Sequence, residues 1–300
     1  MMKHPALRRS SFVTCHSPRD WGFTLLELLV ICLILAFLVL TLGPALARSS
    51  SGSRVLQCIN NHRQLCTVWR LYADDNRDLI VYASDDGTGT SPYLPNSGLN
   101  PQNDYAWTWS KMSFAGQSGF EWNWDPAADM TLRPLWPYTG KETNLFKCPS
   151  DRSYVVTGGQ MKPRIRSVSM NFFLGGFAGS SENTSGTIGY QLYTKISQIT
   201  VPNKIFVFLD QRADNISWGN FLTDMTGYAA YPSVYKISGD FPGIYHDHSC
   251  TFSFIDGHVE EHRWLDPRTT PAPGNLPPTA VSSPNNPDVA WLQDHASRPR

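Results

Sequence analysis

The chain has no excess of charge of either sign. Lys and Arg together number 25 and Asp and Glu number 25, so the net charge is zero with neutral His. A basic face of the kind that grips nucleic acid is therefore not expected, and no nucleic-acid partner follows. Charged residues of all kinds make up only 17% of the sequence. There is no Gly-rich phosphate loop, no nucleophile elbow and no metalloprotease helix motif, so the common sequence signatures of catalysis are missing. No internal repeat is present. Only one stretch is free of charge for a bilayer's length: Leu28 to Ala47, twenty residues with the sequence LLVICLILAFLVLTLGPALA. At 1.5 Å per residue it would span about 30 Å as a helix. The mean hydropathy of the whole chain is negative, which excludes a polytopic membrane protein.

Gly and Pro contribute 22 residues each, and Trp, Tyr and Phe contribute 10, 12 and 15. A length of 300 residues accommodates one sizeable domain or two small ones with a real core. This composition points to a loop-rich, aromatic-cored β or α+β domain rather than a helical bundle.

Ahead of the apolar run, Lys3, Arg8, Arg9 and Arg19 give a short basic segment, which favours a cytoplasmic N-terminus with the remainder outside. A plain single-pass anchor satisfies this pattern. So does a secretory signal, with Ala45-Leu46-Ala47 as its cleavage site, although the run is longer than a usual signal core. Neither has a use for Glu27, a carboxylate at the edge of hydrocarbon that costs on the order of a few kcal/mol if unpaired.

Beyond the run, Val55, Ile59, His62, Cys66, Trp69 and Ala73 recur at steps of three and four, so a helix is expected to continue to Asp74-Asp75-Asn76. Helical from Phe23 to Ala73, it would be a rod of roughly 75 Å. Short runs between turns follow. Strands are expected at Tyr105–Met112, Ile165–Phe173 and Lys204–Asp210. The segments at 158–159, 175–189 and 214–227 read as loops, and Leu132–Tyr138, rich in Pro, as a single turn. Ser249–Ile255 and His258–Trp264, joined by Asp256-Gly257, read as a two-residue hairpin, with Phe252 and Phe254 on one face and Thr251 and Ser253 on the other. The tail from Pro267 holds an extended Pro-rich stretch, TTPAPGNLPP, and a short helix at Asp288–Ala296.

Of six cysteines, Cys15 precedes the run and Cys32 lies within it. Cys58, Cys66, Cys148 and Cys250 remain, and in an oxidising compartment an even number suggests disulfides. Cys58 and Cys66 lie about 12 Å apart along an intact helix and cannot pair with each other. Cys58 with Cys148 is the favoured pairing, because Cys148-Pro149-Ser150-Asp151 is turn-like; Cys66 with Cys250 would remain, either bonded or as buried free thiols.

The His246-Asp247-His248 and His258-Val259-Glu260-Glu261-His262 stretches invite a metal reading. His258 and His262 are about 13 Å apart on a strand and are poorly placed to share an ion. A site from His246, Asp256 and Asp210 stays open beside a plain turn. Asp74-Asp75-Asn76 and Asp85-Asp86-Gly87 carry oxygen ligands of the type calcium takes, without the spacing of an EF-hand, and helix ends and turns use the same residues. Trp107, Trp109, Trp122, Trp124 and Trp136 suit core packing or, if exposed, stacking on sugar rings.

Gly22-Phe23-Thr24-Leu25-Leu26-Glu27-Leu28-Leu29-Val30 resembles the processing motif of prepilins, with Gly, Phe, Glu and the apolar run in register. The resemblance implies cleavage after Gly22 by a prepilin peptidase, N-methylation of Phe23 and a role for Glu27 in assembly, where its carboxylate meets the N-terminal amine of a neighbouring subunit. Two such charges are unfavourable alone and attract when paired. Pro44 matches a helix-bending Pro of many pilins. His246, nine residues, then Asp256-Gly257 also resembles the H-X9-DG region of prepilin-processed bacterial proteins. CINNHRQL at 58–65, YADDN at 72–76, KCPSD at 147–151, RSVSMN at 166–171 and DGHVE at 256–260 are similar to the same family.

The resemblance implies an α+β, pilin-like fold: a long N-terminal membrane-spanning helix packed on an antiparallel β-sheet head. Its divisions would be a cleaved leader 1–22, a membrane half-helix 23–47, an exported half-helix 48–75, a head 76–265 and a Pro-rich tail 266–300. It further implies a non-catalytic subunit of a type II secretion pseudopilus or type IV pilus-like filament at the inner membrane, with its head in the periplasm. The partners would be the peptidase/methyltransferase, other pilin-like subunits, the assembly platform and membrane lipid. Calcium or glycan binding by an envelope module, or metal-dependent catalysis, would be the alternatives.

Overall fold

The structure, a computed structural model, describes residues 24–85, 100–108, 112–179, 187–277 and 280–300, with the side chains of 36 and 38–51 set aside. Two compact units divide the chain, residues 1–50 and 51–300. Helix α1, Leu25–Asp75, crosses that border.

In the first unit the described side chains from Leu25 to Phe37 are apolar but for Glu27 and Cys32, and they are exposed: Leu25 at 82%, Leu26 at 73%, Phe37 at 67%. Glu27 caps the start of the helix, its carboxylate accepting from the Thr24 N–H and hydroxyl at 2.9 Å each.

The second unit is built on a five-stranded sheet. The strands in chain order are β1 Tyr154–Thr157, β2 Gln160–Pro163, β3 Val168–Asn171, β4 Phe206–Asp210, β5 Asn220–Phe221, β6 Lys236–Ile237, β7 Ser249–Phe254, β8 Val259–Arg263 and β9 Val281–Ser282. The main sheet runs β5-β3-β4-β7-β8, while β1-β2 and β6-β9 are separate pairs. β3 pairs with β5 in parallel and every other pairing is antiparallel, so the sheet is mixed.

The expected pilin-like fold is thereby corrected. No helix among the described residues is long and apolar enough to cross a membrane. Helix α1 crosses the border between the two units, and the sheet is mixed rather than antiparallel.

Every residue of β3, β4 and β7 is buried. Alternation fails because both faces are covered. On one face Leu65, Cys66, Trp69, Tyr72 and Ala73 of α1 pack against Val168, Met170, Val207 and Phe208. On the other, Leu292 and Ala296 of helix α2, Pro287–Ala296, pack with Phe206, Leu209, Phe252 and Phe254. A register shift between Phe206 and Phe208 lets β4 feed both layers.

Several local expectations change. No strand forms over the described start of Tyr105–Met112: Pro101–Tyr105 is a 3-10 turn capped by Asn100, and Trp107 turns inward, its indole N–H donating to the Ala83 carbonyl at 2.8 Å, while 109–111 lie outside the described residues. Leu132–Tyr138 holds parts of two 3-10 turns, Met130–Leu132 and Trp136–Tyr138. Gly158 and Gly159, both at positive φ, form the turn of the β1-β2 hairpin instead of a plain loop. The β7-β8 connection is longer than two residues, because Ile255 is drawn into the core and donates its N–H to the Ile205 carbonyl, leaving Ile255-Asp256-Gly257 as the turn. The Pro-rich tail packs: β9 pairs with β6, and α2 covers the sheet.

Candidate functional site

Four side chains from distant parts of the sequence meet inside the second unit. Cys58 and His62, one helical turn apart, share a face of α1. Cys148 opens a turn closed by the Asp151 N–H on the Cys148 carbonyl, and its own N–H donates to Ser167 Oγ at 2.8 Å. Asp210 ends β4. His246 sits just before β7, in a turn where Asp247 and His248 both take left-handed backbone, φ 53° and 59°. Two such residues in succession cost about 1–2 kcal/mol each, strain that the surrounding structure holds.

Ligand-type atoms of Cys58, Cys148, Asp210 and His246 all lie within 4.8 Å of one another, and all four residues are buried. Cys58 Sγ donates to Asp210 Oδ2 at 3.1 Å. Cys148 Sγ and His246 Nε2 are 3.3 Å apart. His62 Nε2 stands 3.3 Å from Asp210 Oδ1, off hydrogen-bonding geometry, so that oxygen and both His62 ring nitrogens lack a hydrogen-bond partner.

The Cys58 thiol is pushed well up, first by its hydrogen bond with Cys148 and then by burial and the Asp210 charge. Burial would also raise Cys148, but hydrogen bonding from Cys58 and the contact with His246 outweigh it and hold that thiol below its usual range. Burial works against a charged His246, and the same Cys148 contact overcomes it and raises the imidazole. The pair thus favours thiolate and imidazolium.

All five described cysteines are free thiols. Cys58 and Cys148 are brought together as expected for a pair, without a bond. The other suggested pairing is not formed: Cys66 Sγ donates to the Phe254 carbonyl and Cys250 Sγ to the Asp210 carbonyl, each at 3.1 Å. His246 is joined by Asp210 but not by Asp256. Asp256 lies in the exposed hairpin turn, where it meets His258 Nδ1 at 2.6 Å and its carbonyl accepts from Arg70. Gly257 takes φ 96° there. His258 stacks on Phe254 and His262 on Trp291, centroids 4.2 and 3.8 Å apart.

Asp75 and Asn76 bind Tyr138 and the Tyr72 carbonyl and line an open pocket of about 490 Å³ with Tyr72, Tyr82 and Tyr105. Asp85 is buried beside Ser84. Trp107 is core, stacked on Phe146 at 6.3 Å. Gly22, Phe23, Cys15, Asp86, Gly87 and Trp109 lie outside the described residues.

The sequence paired Cys58 with Cys148 and left Asp210 open as a partner of His246, but nothing in it joined the two pairs into one set. No family model matches the chain, and neither a curated protein nor a solved structure matches it.

Proposed function

We propose that the chain is a prepilin-like subunit, processed by a prepilin peptidase and assembled, without catalysis of its own, into a type II secretion pseudopilus or a type IV pilus-like filament. One observation carries the reading. The described large apolar side chains between Leu25 and Phe37 are 40% to 82% exposed, a continuous apolar surface that needs a partner. Glu27 is the acid within it, tied only locally to Thr24. The in-register motif from Gly22 supplies the processing step, and subunit packing would cover the apolar surface. In this reading the N-terminal segment holds the chain at the bacterial inner membrane, with the head in the periplasm and later in the filament. That no described helix is long and apolar enough to cross a membrane lends no support to a spanning segment; assembly requires only that the surface be covered.

Intact mass and terminal sequencing of the protein recovered from cell envelopes test the reading. N-methylated Phe23 is expected. An N-terminus at Arg48 or a retained Met1 overturns it. In cells that make the filament, Glu27→Ala is expected to lower incorporation at least tenfold while leaving cleavage intact, read by shearing and immunoblotting.

A further inference from the structure

The geometry points to a structural zinc site in the second unit, with Cys58 Sγ, Cys148 Sγ, one carboxylate oxygen of Asp210 and His246 Nε2 as the four ligands. Two sulfurs, one imidazole nitrogen and one carboxylate oxygen are a donor set that suits Zn²⁺, which takes four such ligands tetrahedrally. With bonds of about 2.0–2.3 Å, the edges of that tetrahedron are roughly 3.3–3.8 Å. The 3.1 Å between Cys58 and Asp210 and the 3.3 Å between Cys148 and His246 lie close to those edges, and the full set falls within 4.8 Å. All four positions are filled by buried protein groups, the closed arrangement of a structural rather than a catalytic site.

The cluster is poorly explained without a cation. Asp210 is fully buried and has no Lys or Arg in ion pair among the described residues. A buried carboxylate left so costs several kcal/mol. One of its oxygens has no hydrogen bond. A Cys58–Cys148 disulfide would use two of the four groups and leave Asp210 and His246 unexplained. The backbone supports the same reading, since Asp247 and His248 are held in left-handed conformation immediately after His246. His62, 3.3 Å from the second oxygen of Asp210, is placed to orient the carboxylate from outside, as such partners of ligating groups do. Binding would release two protons to solvent, one from the Cys58 thiol and one from the Cys148–His246 pair, leaving both sulfurs as thiolates and His246 Nε2 unprotonated on the metal. The ion would tie α1, the Cys148 turn, β4 and the entry to β7 at one point.

The test uses the full-length chain, purified under reducing conditions without chelator. Its zinc content is measured by plasma mass spectrometry, and Co²⁺ is used as a spectroscopic probe. The expected result is one zinc per chain, and a cobalt adduct with thiolate charge-transfer and tetrahedral d–d absorption. Cys58→Ser and Cys148→Ser should each remove about half of the charge-transfer intensity, whereas Cys66→Ser and Cys250→Ser should leave it unchanged. His62→Gln should weaken zinc about 10–100-fold and keep the tetrahedral spectrum. Absence of zinc and of the cobalt bands in a chain folded by circular dichroism overturns the site. So does a mass two hydrogens lower, mapped to a Cys58–Cys148 disulfide in protein taken from the envelope. If the ligand variants fail to fold, the metal content and cobalt spectrum of the unaltered chain, with Cys66→Ser as control, still decide. The outcome is independent of N-terminal processing.

Discussion

His262 lies against Trp291, which is itself stacked on His295 at 4.2 Å. Burial lowers both imidazoles, His262 to about 4, against a favourable Asp288 and together with an unfavourable His295. A folded value below the unfolded one of about 6.5 means that His262 charges first in the unfolded chain. Its contribution is present above pH 6.5 and is lost as pH falls toward 4. Asp240 has the opposite sign. It is raised to about 6 by burial, against hydrogen bonds from the Leu222 N–H and Gln211, so its contribution is present below about pH 4 and lost as pH rises through 6. Between pH 4 and 6 the two oppose. His262→Phe keeps the stack and removes one of them. Denaturant unfolding at a series of pH values is expected to show the variant gaining about 1–2 kcal/mol on wild type near pH 4, with no gain at pH 7. At this scale the sequence showed which residues were chemically capable, and it brought Cys58 to Cys148. A strand ending at Asp210 was expected, and Asp210 stood open as a partner of His246; that its carboxylate also reaches Cys58 could not be shown, because that contact joins segments 152 residues apart. Asp256, matched to His246 by spacing along the chain, lies elsewhere, in the hairpin turn.

The elements divide by how local their causes are. β3, β4 and the β7-β8 hairpin were legible, since short apolar or β-branched runs between turn residues have few alternatives. The length of the hairpin turn was not, because it is set by Ile255 reaching the core under Ile205. β1-β2 went unseen: β2 is exposed throughout and carries no alternation, and only Gly158-Gly159 marks it. The short helix in the tail was legible, and its start has a strong local cause. Asn286 is buried, accepts from the N–H groups of Asp288 and Val289, and donates to Thr269 and Ser283 hydroxyls at 3.0 Å. Asn286→Ala removes the cap and leaves two buried hydroxyls short of a partner; a loss of about 2 kcal/mol in unfolding free energy is expected. Gly175 is a second such point. It takes φ 86°, and a Cβ there would stand 2.4 Å from the Val81 carbonyl oxygen. Gly175→Ala is expected to lower the thermal midpoint by several degrees, since backbone on both sides has to move.

At the scale of the molecule, the arrangement was not legible. An antiparallel sheet under one helix was expected. The second unit instead has a mixed sheet with α1 residues on one face and α2 on the other. The Pro-rich composition of the tail hid this, because Pro at 267, 271 and 273 reads as linker while the covering face of α2 is only Leu292, Ala296 and the half-buried Trp291. The apolar character of Leu25–Phe37 was legible from composition, and its described side chains are exposed, while the membrane span expected at Leu28–Ala47 finds no support among the described residues. Leu28→Glu or Ile31→Glu within it should keep the second unit's unfolding transition in place while sharply reducing sedimentation of the chain as large assemblies.

The covering of the sheet by α2 also sets a timetable. Ribosomes release the N-terminus first, yet the Asn171 amide that bridges the Phe206 carbonyl also needs the carbonyl of Ala296, 125 positions later. Until that last helix emerges, one whole side of the sheet lacks its lid. That side of the sheet is therefore completed only after α2 has been made, later than the side covered by α1 residues.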